Sequence, residues 1–190
     1  MIAKSRFRDF YKGLNGPERT KTLQIMDKLI IENREYADKK NYGYLCNLLS
    51  CLALSMMLEE KGRNREESER IIIGAMHEFV SSSIPSMQRM TKHRLFVPFL
   101  KRFMPLKVSR ICCYVWEIEL PKIRKGQFAM TTHRCIFFGI FSKYGRSELT
   151  LGFCQVDNIL YGKLPKTRFS YTERIGEGGK RCDYLFEREA

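Results

Sequence analysis

The spacing of hydrophobic residues changes along the chain, and this change constrains the fold more than any other feature. Before Pro105, apolar side chains recur at helical intervals, most clearly over residues 42–60. After it, residues 108–118 (VSRICCYVWEI) are β-branched and aromatic, which is typical of a strand. Further strands and two inserted helices follow. The pattern predicts an α+β fold, with an N-terminal helical bundle packed on a C-terminal antiparallel sheet.

Cap and turn residues set the expected element boundaries. Pro17 fits the first turn of a helix that runs to about Ala37, and Asn64 can cap the helix that follows residues 42–60. In the C-terminal half we expect a strand over 128–135, helices over 136–143 and 147–161, and two last strands over 168–174 and 181–188, joined by a glycine turn. We expect one domain of 190 residues, with a helical half over 1–105 and a sheet half over 106–190.

The net charge of +13 would suit a nucleic-acid partner, but its distribution argues against one. Residues 1–100 hold 17 basic and 12 acidic side chains, and residues 101–190 hold 17 and 9, so the excess is spread over both halves. No nucleic-acid-binding motif is found. We expect no nucleic-acid partner, and either a solvated basic surface or an attraction for anionic ligands.

The cysteine pattern indicates a reducing compartment. The seven cysteines are odd in number and no signal peptide precedes them, so we expect reduced thiols and a cytoplasmic location. No CxxC pair occurs, and we predict no metal site. The apolar part of residues 42–60 is about 15 residues long, short of the roughly 20 that a span needs, so we expect no membrane partner. The sequence identifies no cofactor, and a homodimer stays open.

The predicted helix over 147–161 carries the first candidate site. Cys154 and Asp157 lie one turn apart on a stripe that begins at Thr150, ends at Tyr161 and borders the apolar stripe of the same helix. A thiol and a carboxylate so placed can act as nucleophile and base, or orient a water. The alternative is a cysteine buried for packing beside a surface aspartate.

The last strand carries the second candidate site. Strand alternation puts Cys182 on one face with Tyr184 and Phe186, and Asp183 on the other. Cys182 can therefore approach Cys154 on the packed side. Asp183 joins the same pocket only if the strand is bulged or twisted.

Two regions offer substrate-binding or acid–base groups. His133 and Arg134 stand where a predicted strand runs into a helix, at a plausible rim of an active site. Arg174 stands at a strand end beside the glycine turn, where its fork of donors can hold a carboxylate. A structural histidine and a surface arginine are the alternatives.

The order of these residues resembles the L-2-amino-thiazoline-4-carboxylic acid hydrolase family over roughly residues 126–188. The resemblance rests on the pattern Lys143-x-Gly145-x-x-Glu148-Leu149, Phe153-Cys154-x-x-Asp157, Phe169 and Gly178-x-x-x-Cys182-Asp183-Tyr184-x-Phe186. It implies a bacterial hydrolase of cysteine metabolism that acts on a non-peptide carbon–nitrogen bond. Such an enzyme opens a thiazoline ring at its amidine-like carbon to give an N-carbamoyl amino acid.

Together, these observations predict a hydrolase of a small anionic heterocycle or amide. Its catalytic candidates are Cys154, Asp157, Cys182 and His133, and its substrate-binding candidates are Arg174, Arg134, Tyr161 and Asp183. The alternative is a module of the same fold that binds a small molecule without catalysis, which the lack of a complete triad or metal set favours.

Overall fold

The computed structural model describes residues 1–37, 41–92, 95–111 and 116–189. The chain divides into two compact units, Met1–Phe79 and Val80–Ala190. Helices make up the first unit, and helices with an antiparallel sheet make up the second. The predicted α+β class is therefore confirmed, whereas the expectation of a single domain stays a prediction.

The first unit begins its helices where cap residues predict. Its helices are α1 (Arg8–Gly13), α2 (Gly16–Glu32), α3 (Tyr42–Glu60) and most of α4 (Arg65–Ser81). At the start of α2, the Asn15 side chain accepts from the Glu18 N–H and the Glu18 side chain accepts from the Asn15 N–H, each at 3.0 Å. At the start of α4, the Asn64 side chain accepts from the Glu67 N–H at 2.8 Å. Helix α2 stops at Glu32, short of the predicted end, where the Asn33 amide donates to the Leu29 carbonyl at 2.8 Å.

Among the described residues, α3 is the one helix long and apolar enough to cross a membrane, with a mean hydropathy of 1.2. The helix has 19 residues, which is longer than the apolar stretch of about 15 residues on which the expectation of no span rests. However, 67% of its apolar window is buried inside the protein. Core helices of soluble proteins pass the same test, so the finding is weak evidence for a span.

The second unit places helices around one sheet. It contains α5 (Ile84–Thr91), α6 (Phe96–Ile111), β1 (Glu117–Glu119), β2 (Gln127–Arg134), α7 (Ile136–Lys143), α8 (Leu149–Tyr161), β3 (Thr167–Tyr171) and β4 (Cys182–Arg188). In the described part of the chain the strands form a four-stranded sheet in the order β1-β2-β4-β3, and all its neighbours are antiparallel. Helices α7 and α8 and strands β2, β3 and β4 confirm the predicted elements.

The strand predicted over 108–118 is wrong in its first part. Helix α6 runs through Pro105 to Ile111, residues 112–115 lie outside the described part, and β1 begins at Glu117. Leu100, Met104 and Val108 fall at i, i+4 and i+8, and Val108 is buried while the other two pack against the sheet cluster. This packed helical stripe outweighs the β propensity of the segment and the hydrogen bond lost at the proline.

The core of the second unit lies on the buried face of β4. Cys182, Tyr184 and Phe186 are buried on that face, as strand alternation predicts. Phe96 of α6 and Phe128 of β2 contact Phe186, with ring centroids 6.3 and 6.1 Å apart. The sheet thereby fixes the position of Cys182 and Tyr184 opposite α8.

Candidate functional site

Two cysteine thiols meet where α8 faces β4. Cys154 lies on the buried side of α8 and its thiol donates a hydrogen bond to Cys182. The backbone N–H of Ile175 also donates to the Cys182 sulfur, at 3.4 Å. Cys46, Cys51, Cys135, Cys154 and Cys182 are all free thiols, while Cys112 and Cys113 lie outside the described residues.

The bond between the two thiols separates their pKa values. The hydrogen bond from Cys154 lowers the pKa of Cys182 to about 7, against the effect of burial, and the Ile175 N–H lowers it further. The same bond, together with burial, raises the pKa of Cys154 above its usual range. The bond between the thiols therefore favours ionisation of Cys182 over ionisation of Cys154.

Asp157 pairs with a tyrosine of the last strand. The Tyr184 hydroxyl donates to the Asp157 carboxylate at 2.9 Å. Burial first, and then the charge of Asp157, raise the pKa of Tyr184 above its usual range, so the phenol keeps its proton at neutral pH. Because a phenol has one proton, Tyr184 does not donate to Cys182 while it is bonded to Asp157.

A cleft of about 490 Å³ opens beside these groups. The end of β2, the start of α7 and the loop before α8 form one side, and residues 175–180 form the other. Among the lining residues are His133, Arg134, Cys135, Glu148 and Lys180. The cleft thus carries a thiol and several cationic groups.

Cys135 connects the cleft to the buried thiols. It is partly buried, and burial raises its pKa to about 11 although the N–H groups of Phe137 and Phe138 bond its sulfur. The charges of Cys182 and Asp157 raise its pKa further, and Cys135 packs against the buried cluster that contains Cys182. The inner end of the cleft is therefore next to the pair formed by Cys182 and Cys154.

Ile175 and Gly176 form the wall between the cleft and the thiol pair. Both line the cleft, and the Ile175 N–H bonds Cys182 on the other side. A Cβ added at Gly176 would lie 2.8 Å from the Cys154 sulfur and 3.2 Å from the Leu151 nitrogen. Only glycine allows this wall to approach α8 so closely. Cys154 and Cys182 are 8% and 5% exposed and lie behind the wall.

The other predicted site residues divide between the cleft and its surroundings. His133 and Arg134 line the cleft. The His133 ring lies 3.2 Å from the Glu119 carboxylate, and the Arg134 guanidinium lies 3.7 Å from the Glu117 carboxylate. Arg174 is fully buried, so it is not at the cleft surface where a ligand would first contact the protein. Its guanidinium lies 3.4 Å from the Tyr171 ring centroid.

Asp183 and Tyr161 are also outside the cleft lining. Asp183 accepts from the backbone N–H of Thr172 and Glu173 at 2.7 and 2.9 Å, so it shapes the turn after β3. The Tyr161 ring packs on Phe169 and Phe186 at centroid distances of 5.4 and 5.2 Å. Asp183 does not join Asp157 around one pocket, because it stands on the other face of β4 and the strand register there is regular.

Sequence reasoning left four site residues unassigned. Tyr184 shares the Cys182 face two residues along β4, and Cys135 directly follows His133 and Arg134, so spacing alone could have identified both. Lys180 and Gly176 belong to a glycine-rich turn, and no sequence signal reveals which of its residues faces the cleft. Within the described ranges, no group of three His, Cys, Asp or Glu side chains is arranged to hold a metal ion.

Comparison with known proteins identifies the family of this chain. The family model described as L-2-amino-thiazoline-4-carboxylic acid hydrolase matches residues 35–186, which include α8, all of the cleft and β4 as far as Phe186. No curated protein and no solved structure matches the chain. Since the match covers far more than half of the sequence, this chain belongs to the L-2-amino-thiazoline-4-carboxylic acid hydrolase family.

Proposed function

We propose that this chain hydrolyses a small anionic heterocycle or amide, of the kind that the family name describes. The observation that carries the proposal is the thiol pair, in which Cys154 donates to Cys182 and lowers the Cys182 pKa to about 7. A nucleophilic thiol is most effective when its pKa is near the ambient pH. The adjoining cleft has a volume of about 490 Å³, which is suited to a small ligand.

Mass balance identifies the bond that breaks in a 2-amino-thiazoline. The N-carbamoyl product keeps both nitrogens on the former amidine carbon, so the ring carbon–sulfur bond breaks. The oxygen of water becomes the new carbonyl oxygen, and its two hydrogens go to the ring sulfur and the ring nitrogen. For this substrate, carbon–sulfur cleavage replaces the carbon–nitrogen cleavage expected from the sequence, whereas an amide would lose its carbon–nitrogen bond.

Cys182 is the proposed nucleophile. Its thiolate adds to the amidine carbon, and the ring sulfur leaves and takes up a proton from the solvent, so that the carbon is held on Cys182 as an isothiourea. Water then adds to this carbon while Asp157 accepts one of its protons, and Cys182 leaves as a thiolate. Asp157 then releases this proton to the solvent, where it replaces the proton that the ring sulfur took up, so the cycle is balanced. Cys154 stays protonated and stabilises the Cys182 thiolate at both ends of the cycle.

The substrate carboxylate is assigned to the cationic side of the cleft. Arg134 and Lys180 line it, and both are exposed to solvent, so they can reach an incoming anion. His133 adds a third donor beside them. Arg174, which the sequence analysis named together with Arg134 for this role, is fully buried against aromatic rings, and we assign it to the support of the loop instead.

The burial of the thiols favours a second candidate function. Cys154 and Cys182 lie behind Ile175 and Gly176, so a ligand in the cleft meets Cys135 and not the thiolate. A module that binds a small anion without turning it over would need only the cleft and its cations. The two candidates differ in one respect, which is whether Cys182 contacts the ligand.

Turnover of L-2-amino-thiazoline-4-carboxylate tests both candidates. We expect purified protein to release N-carbamoyl cysteine, detected by mass spectrometry and as a new thiol. Cys182→Ala should lower kcat/KM at least about a hundredfold, while Cys46→Ala, a matched change at a buried thiol of α3, should leave it unchanged. Full activity in Cys182→Ala would remove this residue from the mechanism. Saturable binding by calorimetry without any product would identify the non-catalytic module.

A further inference from the structure

Helix α6 presents large apolar side chains to solvent as well as to the sheet. Phe99, Phe103 and Leu106 are 50%, 51% and 53% exposed, and Leu95, just before the helix, is 70% exposed. The Phe99 and Phe103 rings contact each other, with centroids 4.5 Å apart. On a wheel of about 100° per residue, the three helical residues fall within an arc of roughly 60°. We call these four residues and the cations beside them the α6 surface.

Cations border this apolar stripe on both sides. Arg102 lies beyond Leu106 and Lys107 lies beyond Phe103, each by roughly 40° on the same wheel, and both side chains are exposed. Arg110 continues the stripe toward the end of the helix and is also exposed. Residues 79–116 contain seven lysines and arginines and no acidic residue, so nothing within this segment neutralises the surface.

We propose that the α6 surface docks the protein on an anionic lipid bilayer, with α6 lying in the plane of the membrane interface. An amphipathic helix with an apolar stripe and flanking lysines and arginines binds in this way, because its apolar side chains enter the acyl boundary while its cations contact lipid phosphates. The helix is held in place from behind, where Phe96 and Val97 are buried and Leu100 and Met104 pack on the sheet cluster. Docking therefore requires no unfolding of the unit.

Charge decides between a lipid surface and a second copy of the chain. Two copies packed through α6 would bring the same cations face to face, with no acidic partner in the segment, which is destabilising. An anionic bilayer complements these cations and covers the exposed phenylalanines. The proposal revises the expectation that the protein has no membrane partner. It concerns attachment to a surface and not a span, and it does not depend on the proposed hydrolase activity.

Vesicle cosedimentation of the full chain tests the proposal. We expect binding to vesicles of phosphatidylcholine with about a third phosphatidylglycerol, and at least about tenfold weaker binding to phosphatidylcholine alone and at high salt. The double variant Phe99→Gln/Phe103→Gln should lose at least about tenfold in partitioning. Ile31→Gln removes an apolar side chain of α2 that is 68% exposed, more than either phenylalanine, and should bind as wild type. Thermal melting of each variant checks that the fold is intact.

Two outcomes would overturn the proposal. One is that the wild-type protein stays in the supernatant with anionic vesicles, or that the double variant and wild type bind them equally. The other is that light scattering finds a wild-type dimer which the double variant converts to a monomer, with vesicle binding unchanged. In that case the α6 surface belongs to a second copy of the chain. Since neither readout uses a substrate, these outcomes are independent of enzymatic activity.

Discussion

Removing the Cys154 thiol should change the ionisation of Cys182. The hydrogen bond from Cys154 is the largest influence on the Cys182 pKa and lowers it from about 9 to about 7, although burial opposes the change. In Cys154→Ala that bond is lost and burial remains, so we expect the Cys182 pKa to return to about 9 or above. At pH 7 the thiolate fraction of Cys182 should then fall from about a half to about 1%, a decrease of roughly 50-fold.

The thiolate ultraviolet absorbance measures this fraction directly. A pH titration of wild type minus that of Cys182→Ser isolates the Cys182 transition, and the same difference in a Cys154→Ala background gives its displaced position. Cys46→Ala controls for the removal of a buried thiol that lies in the first unit. A difference curve that keeps its midpoint near pH 7 without the Cys154 thiol would refute the hydrogen bond as the cause. An equal displacement in Cys46→Ala would show that the effect is not local.

Three further outcomes follow from the same contacts. Gly176→Ala should lower the free energy of unfolding by about 1–3 kcal/mol, because the new Cβ would lie 2.8 Å from the Cys154 sulfur. Gly74→Ala, whose new Cβ would have no atom within 4 Å, should not be destabilising, and urea unfolding compares the two variants. Arg174→Ala should lower the free energy of unfolding by about 2–4 kcal/mol in the same assay. Arg174→Lys should not restore this stability, since lysine cannot reproduce the guanidinium that lies 3.4 Å from the Tyr171 ring centroid. Because the folded-state pKa of Cys182 is lowered, the contribution of its thiolate to stability is fully present above the unfolded pKa near 9 and is lost as the pH falls through 7. The free energy of unfolding of wild type should therefore rise by up to about 2 kcal/mol relative to Cys182→Ser between pH 7 and 9. Equal slopes of unfolding free energy against pH for the two proteins would contradict this.

Local pattern was sufficient to predict most elements of the second unit. Helices α7 and α8 keep an apolar stripe at helical spacing, and β4 alternates buried and exposed residues, so each element can be identified without knowledge of its neighbours. The strand predicted from residue 108 failed for the opposite reason. Its β-branched residues predict a strand locally, but Leu100 and Met104 pack against a distant sheet and Val108 is buried at the same helical spacing, which keeps α6 helical to Ile111. Tertiary contacts of this kind are not present in a local window.

The candidate site was predictable as a location but not as a division of roles. Spacing placed Cys154 and Cys182 on elements that could meet, and the structure brings them together. Which of two identical thiols is the nucleophile depends on the hydrogen bonds around each sulfur. Cys182 accepts from Ile175 and from Cys154, which lowers its pKa, while the same bond to Cys182 and then burial raise the pKa of Cys154. Sequence reasoning gave priority to Cys154, because the nearby Asp157 suggested a base for it.

The pairing of Asp157 with Tyr184 has a consequence for how the site works. Asp157 is already bonded at 2.9 Å to a phenol that keeps its proton, so it is fixed in position and one of its oxygens is occupied. A carboxylate held in this way is a better orienter of water than a partner for a thiol, which would have to compete with the phenol. The Cys182 thiolate, in contrast, needs no separate base, because its pKa already lies near neutrality. In the proposed mechanism the two groups serve successive steps, so loss of the Tyr184 hydroxyl in Tyr184→Phe should slow the water step while leaving the reaction of Cys182 with the substrate unchanged.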